Sequence, residues 1–155
     1  MAGTYSQIYL QFVFAVKGRI SLIPKQHKEE LHRYMTALVQ NRKAKMLAVN
    51  CMPDHTHLFV GFKPSVLISD FIKEVKVESN LFVQSKRWLP GKFEGQDGYG
   101  VFSYSHSQID SVIRYILTQE EHHRKQTFRD EYTAFLKAFD VPYNEQYLFE
   151  FIENI

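Results

Sequence analysis

Two runs of alternating apolar residues, 44–52 and 55–62, are separated by no more than Pro53-Asp54. Parallel strands need a crossover of a dozen residues or more, so a connection this short implies an antiparallel hairpin. In the first run Met46, Ala48 and Asn50 oppose Leu47, Val49 and Cys51. The second run opens Asp54-His55-Thr56-His57-Leu58-Phe59-Val60, with Leu58 and Val60 anchoring it in a sheet. Pro53 supplies no ladder N–H and suits the turn or the strand entrance. Lys63-Pro64-Ser65 ends the hairpin.

The flanking segments extend the pattern. Residues 5–16 alternate, with Ile8, Leu10, Phe12 and Phe14 on one face and Tyr9, Gln11 and Val13 on the other, which predicts a strand. Pro24 suits a helix start. Through 25–42, Leu31, Tyr34, Met35, Leu38 and Val39 fall at helical spacing. A second helix is predicted over 66–88, burying Ile68, Phe71, Ile72, Val75 and Phe82, followed by a loop over 89–98. Tyr99 to Tyr104 read as a fourth strand. Ser105 or Ser107, with Gln108 or Asp110 three residues on, caps a helix running to about Arg124, with Ile109, Val112, Ile113, Ile116 and Leu117 on its buried side. An amphipathic segment follows at 128–139 through Phe128, Tyr132, Phe135, Leu136 and Phe139, and the tail with Tyr147, Phe149 and Phe151 is expected to pack back on the domain or a partner. The order strand, helix, strand, strand, helix, strand predicts an α+β, ferredoxin-like βαββαβ antiparallel sheet with helices on one face, plus C-terminal helices. The expected organisation is a single domain over 1–155, its core at about 5–125 and a C-terminal helix and tail at 126–155.

Composition narrows the function classes. Cys51 is the lone cysteine, so no internal disulfide forms, which suits a reducing cytoplasm. No apolar run approaches the roughly 20 residues of a membrane span, and the N-terminus lacks the regions of a signal peptide. The net charge of +2 hides an asymmetry: residues 1–92 carry 14 Lys/Arg against 6 Asp/Glu, and residues 93–155 carry 5 against 11. The basic part could meet an anionic polymer, although an unevenly charged solvated surface explains it as well. On the second helix Lys73, Lys76, Asn80, Gln84 and Arg87 form a stripe without one acid. A phosphate-tracking surface has that composition, and so does an ordinary wet face.

His55 and His57 stand at i and i+2, so both imidazoles point to one sheet face, roughly 6–7 Å apart at Cα. They could hold one ion or be two structural histidines. On the helix after the fourth strand, Ser111, Tyr115, Gln119 and His122 share a polar face, with Tyr115 and Gln119 one turn apart. His122 and His123 are candidates to assist near a metal, or incidental histidines at a helix end.

Asp54-His55-Thr56-His57 resembles the HUH motif, histidine–hydrophobic–histidine, with Thr in the middle, and Arg114-Tyr115-Ile116-Leu117-Thr118-Gln119 resembles the Y-I-x-x-Q helix of the same group. That group is the single-tyrosine HUH transposases of insertion sequences, the IS200-like or TnpA family. Tyr5-Ser6-Gln7-Ile8-Tyr9 and Phe14-Ala15-Val16-Lys17-Gly18-Arg19 also resemble its N-terminal strand, and the likeness extends to about residue 139. Gln11 departs from it, standing where many relatives have His. The resemblance implies a metal site of His55, His57 and Gln119 for Mg²⁺ or Mn²⁺, and Tyr115 as catalytic nucleophile. It implies a homodimer acting on single-stranded DNA that carries a hairpin, with no nucleotide cofactor and no membrane, in the cytoplasm. The expected DNA contacts are Lys73, Lys76, Asn80 and Arg87. The expected reaction cleaves and rejoins strands through a covalent 5′-phosphotyrosine. Three alternatives stay open: a domesticated relative, a non-catalytic single-strand or hairpin binder, and a phosphodiesterase that uses water.

Overall fold

The computed structural model describes residues 3–152, with the side chain of Ile20 set aside. Its elements are β1 (Ile8–Ala15), α1 (Lys28–Asn41), β2 (Lys45–Cys51), β3 (His55–Phe62), α2 (Ile68–Lys86), β4 (Gly100–Tyr104), α3 (Ile109–Leu117), α4 (Gln119–His122) and α5 (Phe128–Ala138). The four strands form one antiparallel sheet in the order β2-β3-β1-β4, the ferredoxin-like arrangement expected from the order of periodicities.

Alternation sends each strand's side chains to two faces. Leu10, Phe12 and Phe14 of β1 and Leu58, Val60 and Phe62 of β3 bury against Leu31, Met35 and Val39 of α1 and Phe71, Ile72 and Val75 of α2. The opposite face is covered by the later helices. Ala48 and Phe59 meet Val112 and Ile116 of α3, while Val13, Ala15 and Phe102 meet Phe128, Tyr132 and Leu136 of α5. The tail returns to this second layer: Phe149 is buried in it, and Glu150 exchanges two backbone hydrogen bonds of 2.7 Å with the Gln96 side chain. Tyr147 stays exposed.

Two details differ from the periodicity. The β2–β3 register slips between Met46 and Ala48, a bulge that leaves Met46 with the α1/α2 core and puts Leu47 with Ala48 on the α3 face. The helix expected to run from Ser105 to about Arg124 is broken. The Ser105 N–H does bond Gln108 Oε1 at 2.9 Å, but α3 ends at Leu117 and α4 begins at Gln119. Thr118 sits between them at φ −105°, ψ 23°, its hydroxyl donating back to Arg114 O at 2.8 Å. A β-branched residue back-bonded one turn down bends a helix. The bend leaves Leu117, expected in the core, exposed, and carries Gln119 inward to full burial.

One buried contact predicts a pH response. The Cys51 N–H, at the end of β2, donates to His32 Nε2 on α1 at 2.9 Å. Burial depresses the His32 pKa from 6.5 to about 4, only partly countered by Glu29. The unfolded chain therefore takes up this proton first as pH falls. His32 contributes its full stabilisation above about pH 6.5 and loses it toward pH 4, a loss of about 2–3 kcal/mol by pH 4.5. Urea midpoints at pH 7 and pH 4.5 should fall less in His32→Gln, whose amide oxygen still accepts the Cys51 N–H. An unchanged pH dependence in that variant would remove His32 as the cause.

Candidate active site

His55 and His57 enter β3 directly after the tight Pro53-Asp54 turn, on the face covered by α3, α4 and α5, and both are fully buried. Each ring is held from behind. His55 Nδ1 lies 2.7 Å from Asp54 Oδ1, and His57 Nδ1 lies 2.8 Å from Gln11 Oε1. The Gln11 amide donates to the Tyr104 hydroxyl at 2.7 Å, so its oxygen faces His57 and the Nδ1–H is the donor. Such second partners fix the tautomer and leave Nε2 to face a ligand. Gln11, a departure from the family pattern, thus orients one of the two histidines. Phe128 stacks flat on His55 at 3.9 Å between centroids.

The two Nε2 atoms converge on a residue that the sequence reading passed over. Glu131 Oε1 lies 3.2 Å from His57 Nε2, 3.4 Å from His55 Nε2 and 3.2 Å from His123 Nε2. Among the described residues, His55, His57 and Glu131 each offer a ligand atom, all within 4.8 Å of one another. A signal for Glu131 was present. It stands three residues after Phe128 and four before Phe135, inside the apolar stripe of α5, where an acid has no reason to be unless it is paired.

Gln119 belongs to the same cluster. Its Oε1 faces His55 Nε2 at 3.4 Å and His123 Nε2 at 3.0 Å, and its Nε2 donates to Glu131 Oε2 at 3.0 Å. Tyr115, half-buried, donates its hydroxyl to Glu131 Oε2 and lies edge-on to His57 at 6.2 Å. His122 stacks on the Tyr115 ring at 4.5 Å and is itself held by Thr118. The break at Thr118 therefore brings Tyr115, Gln119, His122 and His123 to one point within a single chain. Ser111 remains exposed on α3.

Burial would raise the Glu131 pKa, but the charge of His57 and hydrogen bonds from His123, His55 and His57 hold it well below the usual carboxylate range. Burial would lower His55, but the Asp54 and Glu131 carboxylates raise it to about 9. Burial dominates for His57 and lowers it. Tyr115 is pushed well above a free phenol, first by burial and then by the charge and hydrogen bond of Glu131. Two imidazole nitrogens beside a carboxylate oxygen fit a divalent cation: imidazole suits the transition metals, and a carboxylate suits Mg²⁺ and Mn²⁺.

The basic stripe of α2 lies on the other sheet face. Lys76 is half-buried and donates to the backbone oxygens of Gln96 and Gly98 at 2.7 and 2.8 Å. Desolvation lowers its pKa. Gln84 bonds Phe93 O at 2.8 Å, and Asn80 packs beside Gly95. These three side chains secure the 93–98 loop, while Lys73 and Arg87 are exposed. No described helix is long and apolar enough to cross a membrane.

The chain is similar to known transposases over most of its length. A transposase of Deinococcus radiodurans, ISDra2 transposase TnpA, is 24% identical over 124 residues, covering 77% of this chain and 89% of the relative. A crystal structure of a putative transposase from the same organism superposes with a TM-score of 0.61 at 22% identity, over 77% of this chain and 95% of that one. A REP-associated tyrosine transposase bound to a REP hairpin superposes with a TM-score of 0.57 at 14% identity, over 100% of this chain and 97% of that one. The family described as IS200-like transposases matches residues 4–119, from the strand-forming N-terminus through His55, His57 and Tyr115 to Gln119, and the chain belongs to that family.

Proposed function

We propose that the protein is a metal-dependent single-stranded DNA transposase that cuts and rejoins strands through a covalent link to Tyr115. The observation that carries this reading is the meeting of a phenol hydroxyl and two oriented imidazoles on one buried carboxylate. Phosphodiester transfer needs an in-line nucleophile and stabilisation of charge on phosphoryl oxygens. His55, His57 and Glu131 would hold the cation, with the Gln119 amide oxygen as a further donor. Mn²⁺ matches a mixed imidazole and carboxylate set better than Mg²⁺ does. Bound there, such an ion polarises a phosphate oxygen and eases departure of the 3′ oxygen.

The chain's own residues account for the remaining steps. At neutral pH the phenol is protonated, and Glu131 Oε2 aims its hydroxyl. On attack the Tyr115 Oη–P bond forms and the P–O3′ bond breaks. The phenolic proton passes to water while Glu131 Oε2 keeps the hydroxyl aimed, and the upstream strand leaves as a 3′-OH after taking a proton from water. The downstream strand stays attached as a 5′-phosphotyrosine, and attack by a 3′-OH reverses the step without ATP. His122 keeps the Tyr115 ring in place by stacking.

The hairpin-bound structure of the REP-associated relative supports a hairpin-bearing substrate here. Lys73 and Arg87 are the exposed candidates of the α2 stripe for DNA contact, with Lys76 and Asn80 supporting the adjacent loop. The family resemblance implies a homodimer acting in the cytoplasm, although every side chain named in the reaction comes from one chain.

The test uses single-stranded DNA flanking the gene, labelled 3′ of the candidate cut and incubated with Mn²⁺ or Mg²⁺. A denaturing protein gel should show a labelled adduct that chelator abolishes. Cleavage without an adduct would favour a water-using phosphodiesterase. Binding with neither would favour a hairpin-binding protein.

A further inference from the structure

Behind His55, lined by the residues that pack against it, lies a groove of about 800 Å³. Its lining includes Lys25 and Lys28 before and at the start of α1, Arg124 and Arg129 on either side of the turn into α5, and Phe151 of the tail. At its inner end are Asp54, His123 and Phe128. Each of these touches His55: Asp54 by the 2.7 Å hydrogen bond, His123 by a ring contact at 4.7 Å and Phe128 by stacking. The groove thus runs from the surface to the back of one candidate metal ligand.

The cations share the lining with two acids, Glu120 and Asp130, and the Lys28 side chain is largely buried. Lys25 and Lys28 share a single partner, Glu120, at 3.4 and 3.1 Å. Lys25 is largely exposed, and Arg124 and Arg129 are exposed. The Arg129 guanidinium lies over the Phe151 ring at 4.6 Å. Cations spaced along a groove with an arginine–aromatic pair at its edge have the chemistry that tracks a phosphodiester chain and stacks its bases.

The position of Tyr115 gives the groove a direction. Tyr115 adjoins the cluster at His57 and Glu131 Oε2, whereas the groove reaches it at His123, which contacts Glu131 Oε1 at 3.2 Å. In an in-line displacement the leaving oxygen departs on the side away from the nucleophile. With Tyr115 Oη attacking, the leaving oxygen is the 3′ oxygen of the upstream strand. We infer that this groove is the binding site for the single strand on the 5′ side of the cut, the segment released with a 3′-OH, held through its phosphates by Lys25, Lys28, Arg124 and Arg129. This assignment rests on the proposed strand-transfer reaction.

Lys25, Arg124 and Arg129 are exposed, so Lys25→Gln/Arg124→Gln/Arg129→Gln should fold as the parent does. In chelator, its affinity for single-stranded oligonucleotides from the gene's flanking DNA should fall about tenfold at low salt. The slope of log affinity against log salt should shrink by about 2, since each phosphate contact on a single strand contributes about 0.7. Once the cut is mapped, shortening the oligonucleotide on its 5′ side should weaken wild-type binding and barely affect the variant, while shortening the 3′ side should affect both equally. Unchanged affinity and salt slope would overturn the assignment, as would a variant that loses its dependence on the 3′ side instead. An absent Tyr115 adduct with the groove effects on affinity intact would instead count against the strand-transfer reading alone.

Discussion

Tyr115→Phe should reduce single-turnover strand cleavage by about 10³-fold or more, because the change removes the one atom that bonds to phosphorus. Hairpin affinity should stay within about twofold of the parent, and stability within about 1 kcal/mol, the worth of one hydrogen bond. The structure explains why so large a kinetic effect comes with so small a structural one. Glu131 Oε2 loses the tyrosine hydroxyl but keeps the Gln119 amide at 3.0 Å, so the buried carboxylate is not left bare. The Phe ring retains its place against His122 and Phe135. Cleavage measured alongside filter binding separates these quantities. Cleavage surviving at near parental rate would remove Tyr115 from the mechanism and make water the attacking group.

How much of this was legible in advance depends on what fixes each element. The strands and the side-by-side histidines follow from a period of two, which a sequence carries locally. The tyrosine follows from one helical turn of spacing and from the family pattern. The bulge at Leu47 was hidden because a slip in register leaves the composition of the strand unchanged, and only the partner strand reveals it. The break at Thr118 was hidden because threonine is tolerated inside helices; its effect depends on the hydroxyl finding Arg114 O. Lys76 reads as a surface lysine on α2, yet its ammonium closes the loop through two carbonyl oxygens supplied by Gln96 and Gly98, about twenty residues away. Glu131 is different in kind. The tyrosine motif ends at Gln119, before α5 begins, so it offered no place for Glu131, and the apolar residues around it drew the reading toward packing. An acid within an apolar stripe is the kind of local contradiction that marks a site.

That contradiction carries the second large effect. Glu131→Gln keeps the shape and removes the charge, and it should weaken Mn²⁺ binding by about 100-fold, the upper end of what loss of even an outer partner costs. Calorimetric titration with Mn²⁺ measures this directly, and cleavage at limiting Mn²⁺ should fall in parallel. Thermal melting gives an independent readout. Parent protein at Mn²⁺ a hundredfold above its dissociation constant gains about 2.7 kcal/mol, and the variant should lose nearly all of that gain. Without metal the variant should be less stable by about 1–3 kcal/mol. The cost stays moderate because His55 keeps Asp54 as its partner and His57 keeps the Gln11 amide oxygen. Gln119→Ala supplies the comparison that divides the two candidate third ligands. If Glu131 coordinates the ion, its loss is the more damaging to Mn²⁺ affinity, and Gln119→Ala acts mainly by freeing Glu131 Oε2 and His123. If Glu131→Gln binds Mn²⁺ as tightly as the parent while Gln119→Ala does not, the carboxylate is a counter-ion for three histidines and the amide oxygen completes the site.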